Sequence, residues 1–173
     1  ALSMVQTIVN RGIDSLINNL YYRGSRALRN EDSYFEYELA LNNKLYSYGF
    51  EINIFKRTIV SEWLIDMTKS NEKVIFERDL KKKLSKTDLK KTNSIFSNCL
   101  HEMENNDYEL FLKEIIRRVS ISQSKDIFFD EIVSVYKFLI YDMIVVKPQT
   151  HKLFDIDYYK RKEEVLKILK SLD

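Results

Sequence analysis

The sequence predicts a mainly α fold of about seven or eight helices with one small β-hairpin, built around helix-turn-helix units. Three observations support this. Three glycines and one proline in 173 residues leave few of the usual turn formers and helix breakers. Several stretches repeat apolar residues at helical spacing. From Val74 to Met103 the chain reads VIFERDLKKKLSKTDLKKTNSIFSNCLHEM, a short apolar run followed by two lysine-rich amphipathic segments.

Taken in order, Val5, Ile8, Val9, Ile13, Leu16, Ile17 and Leu20 form the stripe of a helix from Leu2 to Tyr22, with Gly24 placed as its cap. Asp32 or Ser33 caps a second helix to Tyr48, with Glu36 completing a capping box and Gly49 ending it. Its apolar and aromatic residues lie all round, as expected of a central or interface helix. Phe50 to Phe55 alternates as a short strand or as the lead into a helix at Arg57 to Lys69.

Val74 to Phe76 then reads as strand, Glu77 to Leu84 and Thr87 to Glu104 as a helix pair, and Asn105 to Asp107 as a break. Tyr108 to Val119 is helical, Ser120 to Lys125 a linker, and Phe129 to Asp142 an apolar helix capped by Asp126 or Asp130. A hairpin over Met143 to Ile156, turning at Pro148, precedes a last helix from Tyr158 to Leu172. The expected organisation is an N-terminal helical pair (1–50), a helix-turn-helix unit (51–119) and a helix, hairpin and helix unit (120–173), in one compact domain.

Over residues 55 to 104 the order of helix, strand and two helices resembles a winged helix, with Trp63, Leu64 and Met67 in the first helix and Leu89, Phe96, Leu100 and Met103 in the third. It departs from that pattern after Met103, where a hairpin wing belongs and a helix is expected instead. The resemblance implies DNA binding through the start of the third helix. Lys86, Lys90, Lys91 and Asn93 fall there, with Lys81, Lys82 and Lys83 beside them, and lysines on phosphates make affinity fall steeply with salt. A merely solvated helix face is the other reading. Arg23, Arg26 and Arg29 are a second cluster suited to phosphate or carboxylate, or to the neighbouring run Glu31, Asp32, Glu36 and Glu38.

The net charge of +2 means that any charged surface arises from local segregation. A single cysteine, Cys99, excludes an internal disulfide framework, indicates a reducing intracellular compartment and sits where a structural thiol is expected. Gly12, Gly24 and Gly49 are isolated, so no phosphate-cradling loop is present. His101 lacks the second histidine of a zinc helix, and neither it nor His151 sits in a triad context. Asp126, Asp130 and Glu131, like Asp155 and Asp157, read as caps or solvated groups.

No catalytic residue, metal or cofactor is expected, and no apolar run reaches the roughly 18 residues of a membrane span. The functional expectation is a non-enzymatic module contacting nucleic acid or a protein partner within a larger assembly. The alternative is a helical adaptor or homo-oligomerisation domain using Tyr21, Tyr22, Tyr34, Tyr37, Tyr46 and Tyr48 of the first two helices.

Overall fold

The chain divides into Ala1–Met143 and Ile144–Asp173. The computed structural model describes residues 2–16, 27–89, 93–123 and 126–143, all in the first unit. The expected hairpin over residues 144–156 and the helix from Tyr158 to Leu172 lie outside the described residues.

The first unit is a mixed α/β fold, which corrects the expectation of a mainly helical, helix-turn-helix or winged-helix protein. Its strands are β1 (Ser33–Leu41), β2 (Lys44–Asn53), β3 (Thr58–Asp66), β4 (Lys73–Asp79) and β5 (Leu84–Lys86), joined as an antiparallel meander in sequence order. Helix α1 (Leu2–Arg11) precedes the sheet, and α2 (Ser94–Glu102), α3 (Phe111–Ser122) and α4 (Asp130–Lys137) follow it.

The segment expected to be one aromatic helix to Tyr48 is the first hairpin. Asn42 and Asn43 take φ of 52° and 60°, forming a two-residue turn whose twist matches that of the flanking strands. Residues that surround a helix fall on alternate faces of a strand. Leu39, Tyr46, Tyr48, Phe50 and Ile52 are buried towards the helices, while Tyr34, Glu36 and Glu38 are exposed on the other side. Scarce glycine misled because other residues make the turns: Arg57 and Lys83 also adopt left-handed φ, 57° and 51°, between β2 and β3 and between β4 and β5.

Two bulges explain why the alternation is hard to follow downstream. Glu51 pairs with Ser61 and Ile52 with Ile59, leaving Val60 as an extra residue; Ile75 is likewise extra between the Leu64–Phe76 and Ile65–Val74 pairs. Each puts two buried apolar residues in succession, Ile59–Val60 and Ile75–Phe76. The expected helices at Arg57 to Lys69 and Glu77 to Leu84 are therefore β3 and the end of β4 with its turn, whereas the strand reading at Val74 to Phe76 holds.

Other helical readings survive in part. α1 stops at Arg11, because Gly12 turns the chain at φ 88° with its N–H still bonded to the Ile8 carbonyl at 2.8 Å. α2 covers only Ser94–Glu102, α3 lies where a helix was expected, and α4 runs into a wide turn over Phe138–Asp142. Asn93 and Asp126 act as caps, accepting from Ile95 N–H and Phe128 N–H.

The core lies between sheet and helices. Phe111 stacks against Phe76 with ring centres 4.6 Å apart and meets Phe96 edge-on at 5.5 Å. α1 buries Val5, Ile8 and Val9, and the Gln6 amide donates to the carbonyls of Leu139 and Met143 at 3.1 and 2.6 Å. Cys99 is buried, and burial pushes its thiol up to about 12, as expected of a structural cysteine. No described helix is long and apolar enough to cross a membrane.

One ion pair crosses this core. Glu62 on β3 and Arg78 on β4 are both fully buried, with Arg78 Nη2 3.1 Å from Glu62 Oε2. The remaining guanidinium protons reach the carbonyls of Met103, Asn106 and Glu109, so that all five donors are used. Glu62 in turn accepts the N–H groups of Phe111 and Leu112, at 2.5 and 2.9 Å, and the Tyr48 hydroxyl at 3.2 Å. Leu110 has no side-chain cap for α3. A carboxylate from the sheet does that work, at the positive end of the helix dipole.

Removing the cation alone would strand a buried carboxylate and orphan three carbonyls. Arg78→Met should lower unfolding free energy by about 3–5 kcal/mol in denaturant titration. Arg78→Lys, with three donors in place of five, should recover only part of that loss. A Met variant as stable as the wild type would show that the pair is dispensable.

Candidate protein-binding face

The described helices line one side of the sheet. The other side carries Tyr34, Glu36, Glu38 and Ala40 of β1, Ser47, Gly49 and Glu51 of β2, and Ser61, Trp63 and Ile65 of β3, set side by side by the register. At its centre the Trp63 ring fills the space where a Gly49 side chain would stand. A methyl group there would sit 2.2 Å from Trp63 Cζ2 and 2.7 Å from the Phe35 carbonyl, so the ring's position requires glycine.

Trp63 Nε1–H donates to Ser47 Oγ at 3.3 Å, Ser47 Oγ–H donates to Glu36 Oε1 at 2.6 Å, and the Tyr34 hydroxyl donates to Glu36 Oε2. The Tyr34 and Trp63 rings are 5.3 Å apart, tilted by 32°. This chain spans three strands and holds two aromatic rings in place around one carboxylate. The Ser47 hydroxyl, then that of Tyr34, hold the Glu36 carboxyl below its ordinary range, so it stays ionised. The same bond to Glu36 pushes the Tyr34 hydroxyl up to about 12.

Charge is divided across the face. Towards β5 two cations are matched, Lys82 2.8 Å from Asp79 and Lys86 2.8 Å from Glu77, while Lys83 in the same turn has no carboxylate in ion-pair range among the described residues. Towards β1, Glu36, Glu38 and Glu51 have no cation in ion-pair range among the described residues; Glu51 accepts from the Ser61 hydroxyl at 2.9 Å and acts on Lys81 and Lys82 only through its longer-range charge. The result is an acidic and aromatic half beside a half whose lysines are mostly paired.

The residues expected to bind nucleic acid are dispersed. Lys81 is in the β4–β5 turn, 2.5 Å from Asp32, Lys82 is in the same turn and Lys86 ends β5. Their partners hold all three ammonium groups above the ordinary range. Asn93 spends its side chain on the α2 cap and on Asp126, 2.8 Å away. Lys90, Lys91, Arg23 and Arg26 lie outside the described residues; Arg29 falls in a single helical turn, Ala27–Asn30. With the helix-turn-helix corrected to a hairpin, the DNA-binding expectation loses the geometry on which it stood.

The tyrosine-rich alternative also changes form. Tyr46 and Tyr48 are core residues, Tyr34 faces solvent and Tyr21 and Tyr22 lie outside the described residues. Sequence reasoning missed Trp63, Gly49 and Ser47 as partners because the signal, alternation about Asn42–Asn43, was read with a helical period.

Elsewhere the chemistry is sparse. A cleft of about 310 Å³ is lined by Asp32, Asn53, Lys56, Lys81, Asn105 and Asp107, but Asn53 and Lys81 are already bonded to Asp32. Among the described residues no group of three or more His, Cys, Asp or Glu could hold a metal. No protein-family pattern, curated protein or solved structure matches the chain.

Trp63 is the chain's one tryptophan, so its emission reports on the network directly. A carboxyl with a lowered folded-state pKa contributes above its ordinary value and ceases to do so as pH falls through the lowered one. Trp63 emission should therefore change with a midpoint below 4.5, the ordinary value for Glu36, and Ser47→Ala should move that midpoint upward. A midpoint unmoved by the alanine would mean that Ser47 does not tune the carboxyl.

Proposed function

We propose that this chain is a protein-binding module whose open sheet face receives a basic surface or segment of a partner protein. The observation that carries the reading is the grouping of Glu36, Glu38 and Glu51 around Tyr34 and Trp63, with no cation paired to them among the described residues. Aromatic rings fixed by hydrogen bonds give contact area at little further cost in side-chain entropy. Unpaired carboxylates beside them select positive charge and steer its approach. A lysine or arginine approaching this half meets carboxylates and ring faces together.

Among the described residues the arrangement does not favour a nucleic acid. Phosphates would meet Glu36, Glu38 and Glu51, and Lys81, Lys82 and Lys86 are engaged with Asp32, Asp79 and Glu77.

Titration with decalysine, followed by Trp63 emission, tests the reading. Binding is expected at low salt and should weaken as ionic strength rises. Reversing Glu36, Glu38 and Glu51 together to lysine should weaken it by at least about ten-fold, or 1.4 kcal/mol. Reversing Lys82 and Lys86 to glutamate should not weaken it. No binding, or binding indifferent to the three glutamates, would refute the proposal.

A further inference from the structure

The two-residue turn at Asn42–Asn43 determines more than the hairpin. Such a turn makes its closing pair, Leu41 and Lys44, a hydrogen-bonded pair, and pairs alternate from there. Leu39, Tyr37, Phe35 and Ser33 consequently exchange bonds with β2. Tyr34, Glu36, Glu38 and Ala40 point their N–H and C=O groups away from it. The neighbouring strand confirms the parity: Leu45, opposite Ala40, donates its N–H to Thr68 Oγ1 at 3.0 Å and accepts Met67 N–H at 2.8 Å, both on its far side.

β1 is at the end of the sheet order, and among the described residues nothing bonds to this outward row. The four residues that present free backbone groups are the same four whose side chains stand exposed on the open face. A nine-residue edge with unpaired groups is a template for another strand.

Which strand fits follows from charge. Antiparallel pairing of two copies of β1 through these residues sets Glu36 opposite Glu38, or either glutamate opposite its own copy, in every register that engages most of the edge. Like charges directly opposite oppose pairing. A strand with lysine or arginine at every second position instead places a cation against each of Glu36 and Glu38, with its own N–H and C=O facing theirs.

We propose that the partner's basic segment binds as an extended strand added to the outer edge of β1, its alternate cations opposite Glu36 and Glu38. This rests on the acidic-face reading above and specifies the bound shape as an added strand rather than a folded surface.

Isothermal titration of the full chain with three peptides separates the two levels. Ac-VTKTKTV-NH2 carries alternate lysines; a second peptide has the same composition with its lysines adjacent; a third is the first with the backbone amide nitrogen of each lysine methylated, which removes those two ladder donors and keeps the charge. The proposal expects the first to bind at least about ten-fold more tightly than either of the others. Equal affinity for all three, abolished by reversal of Glu36, Glu38 and Glu51, would overturn the added strand and leave the acidic-face reading standing. No binding by any of them would remove both. A concentration-dependent dimer of the chain alone, lost on Glu36→Pro, which removes an outward N–H of the edge and none of the bonds to β2, would overturn the choice of occupant.

Discussion

The buried pair Glu62–Arg78 is the constraint on which the rest of this structure depends. Two charges taken out of water are tolerated only where every lone pair and proton finds a partner. Here the partners come from separate parts of the chain: a tyrosine of β2, the first N–H groups of α3, and three carbonyls between α2 and α3. Burial pushes the Glu62 carboxyl up, while the guanidinium and the helix N–H groups pull against that shift. Sheet, loop and helix start are thereby held in one register, a specificity that apolar packing alone does not supply.

That fastening is one-sided. The rings of Phe76, Phe96 and Phe111 and the ion pair all lie between sheet and helices, so the opposite surface of the meander is shaped by its own side chains. Gly49 leaves room for the Trp63 ring, and Ser47 and Tyr34 spend their hydroxyls on Glu36. Among the described residues the face is ordered without being covered. Its charges sort by strand, mostly matched near β5 and unmatched near β1, and the acidic part coincides with the edge whose backbone groups are free among the described residues.

Helical period was a good guide where one face of a helix is buried: it located α3 and α4 within a few residues, and the start of α1 but not its end at Arg11. It failed on the sheet for identifiable reasons. Asparagine, arginine and lysine in left-handed conformations replaced glycine at the turns, so the count of three glycines overstated the case against strands. Bulges at Val60 and Ile75 broke the two-residue alternation into doublets that mimic helical spacing. The tyrosines of residues 34 to 48, apolar all round as a helix, were the clearest warning, because two-faced distribution about an Asn-Asn dipeptide is what a hairpin requires. The lysine run was legible as charge but not as geometry: Lys82 pairs locally with Asp79, but the partners of Lys81 and Lys86, Asp32 and Glu77, lie on other elements. Tyr34 and the acidic residues could be seen in the sequence, yet their assembly with Trp63 depends on a register that no local pattern reveals.

Amide hydrogen exchange read residue by residue by NMR tests the central claim most directly, that the sheet is pinned through Glu62 on one side and open on the other. The account predicts that Phe111 and Leu112, at a helix start where protection is ordinarily poor, exchange as slowly as the core strands, while Tyr34, Glu36, Glu38 and Ala40 exchange fast between protected neighbours. Rapid exchange at Phe111 and Leu112, or uniform protection along β1, would contradict it.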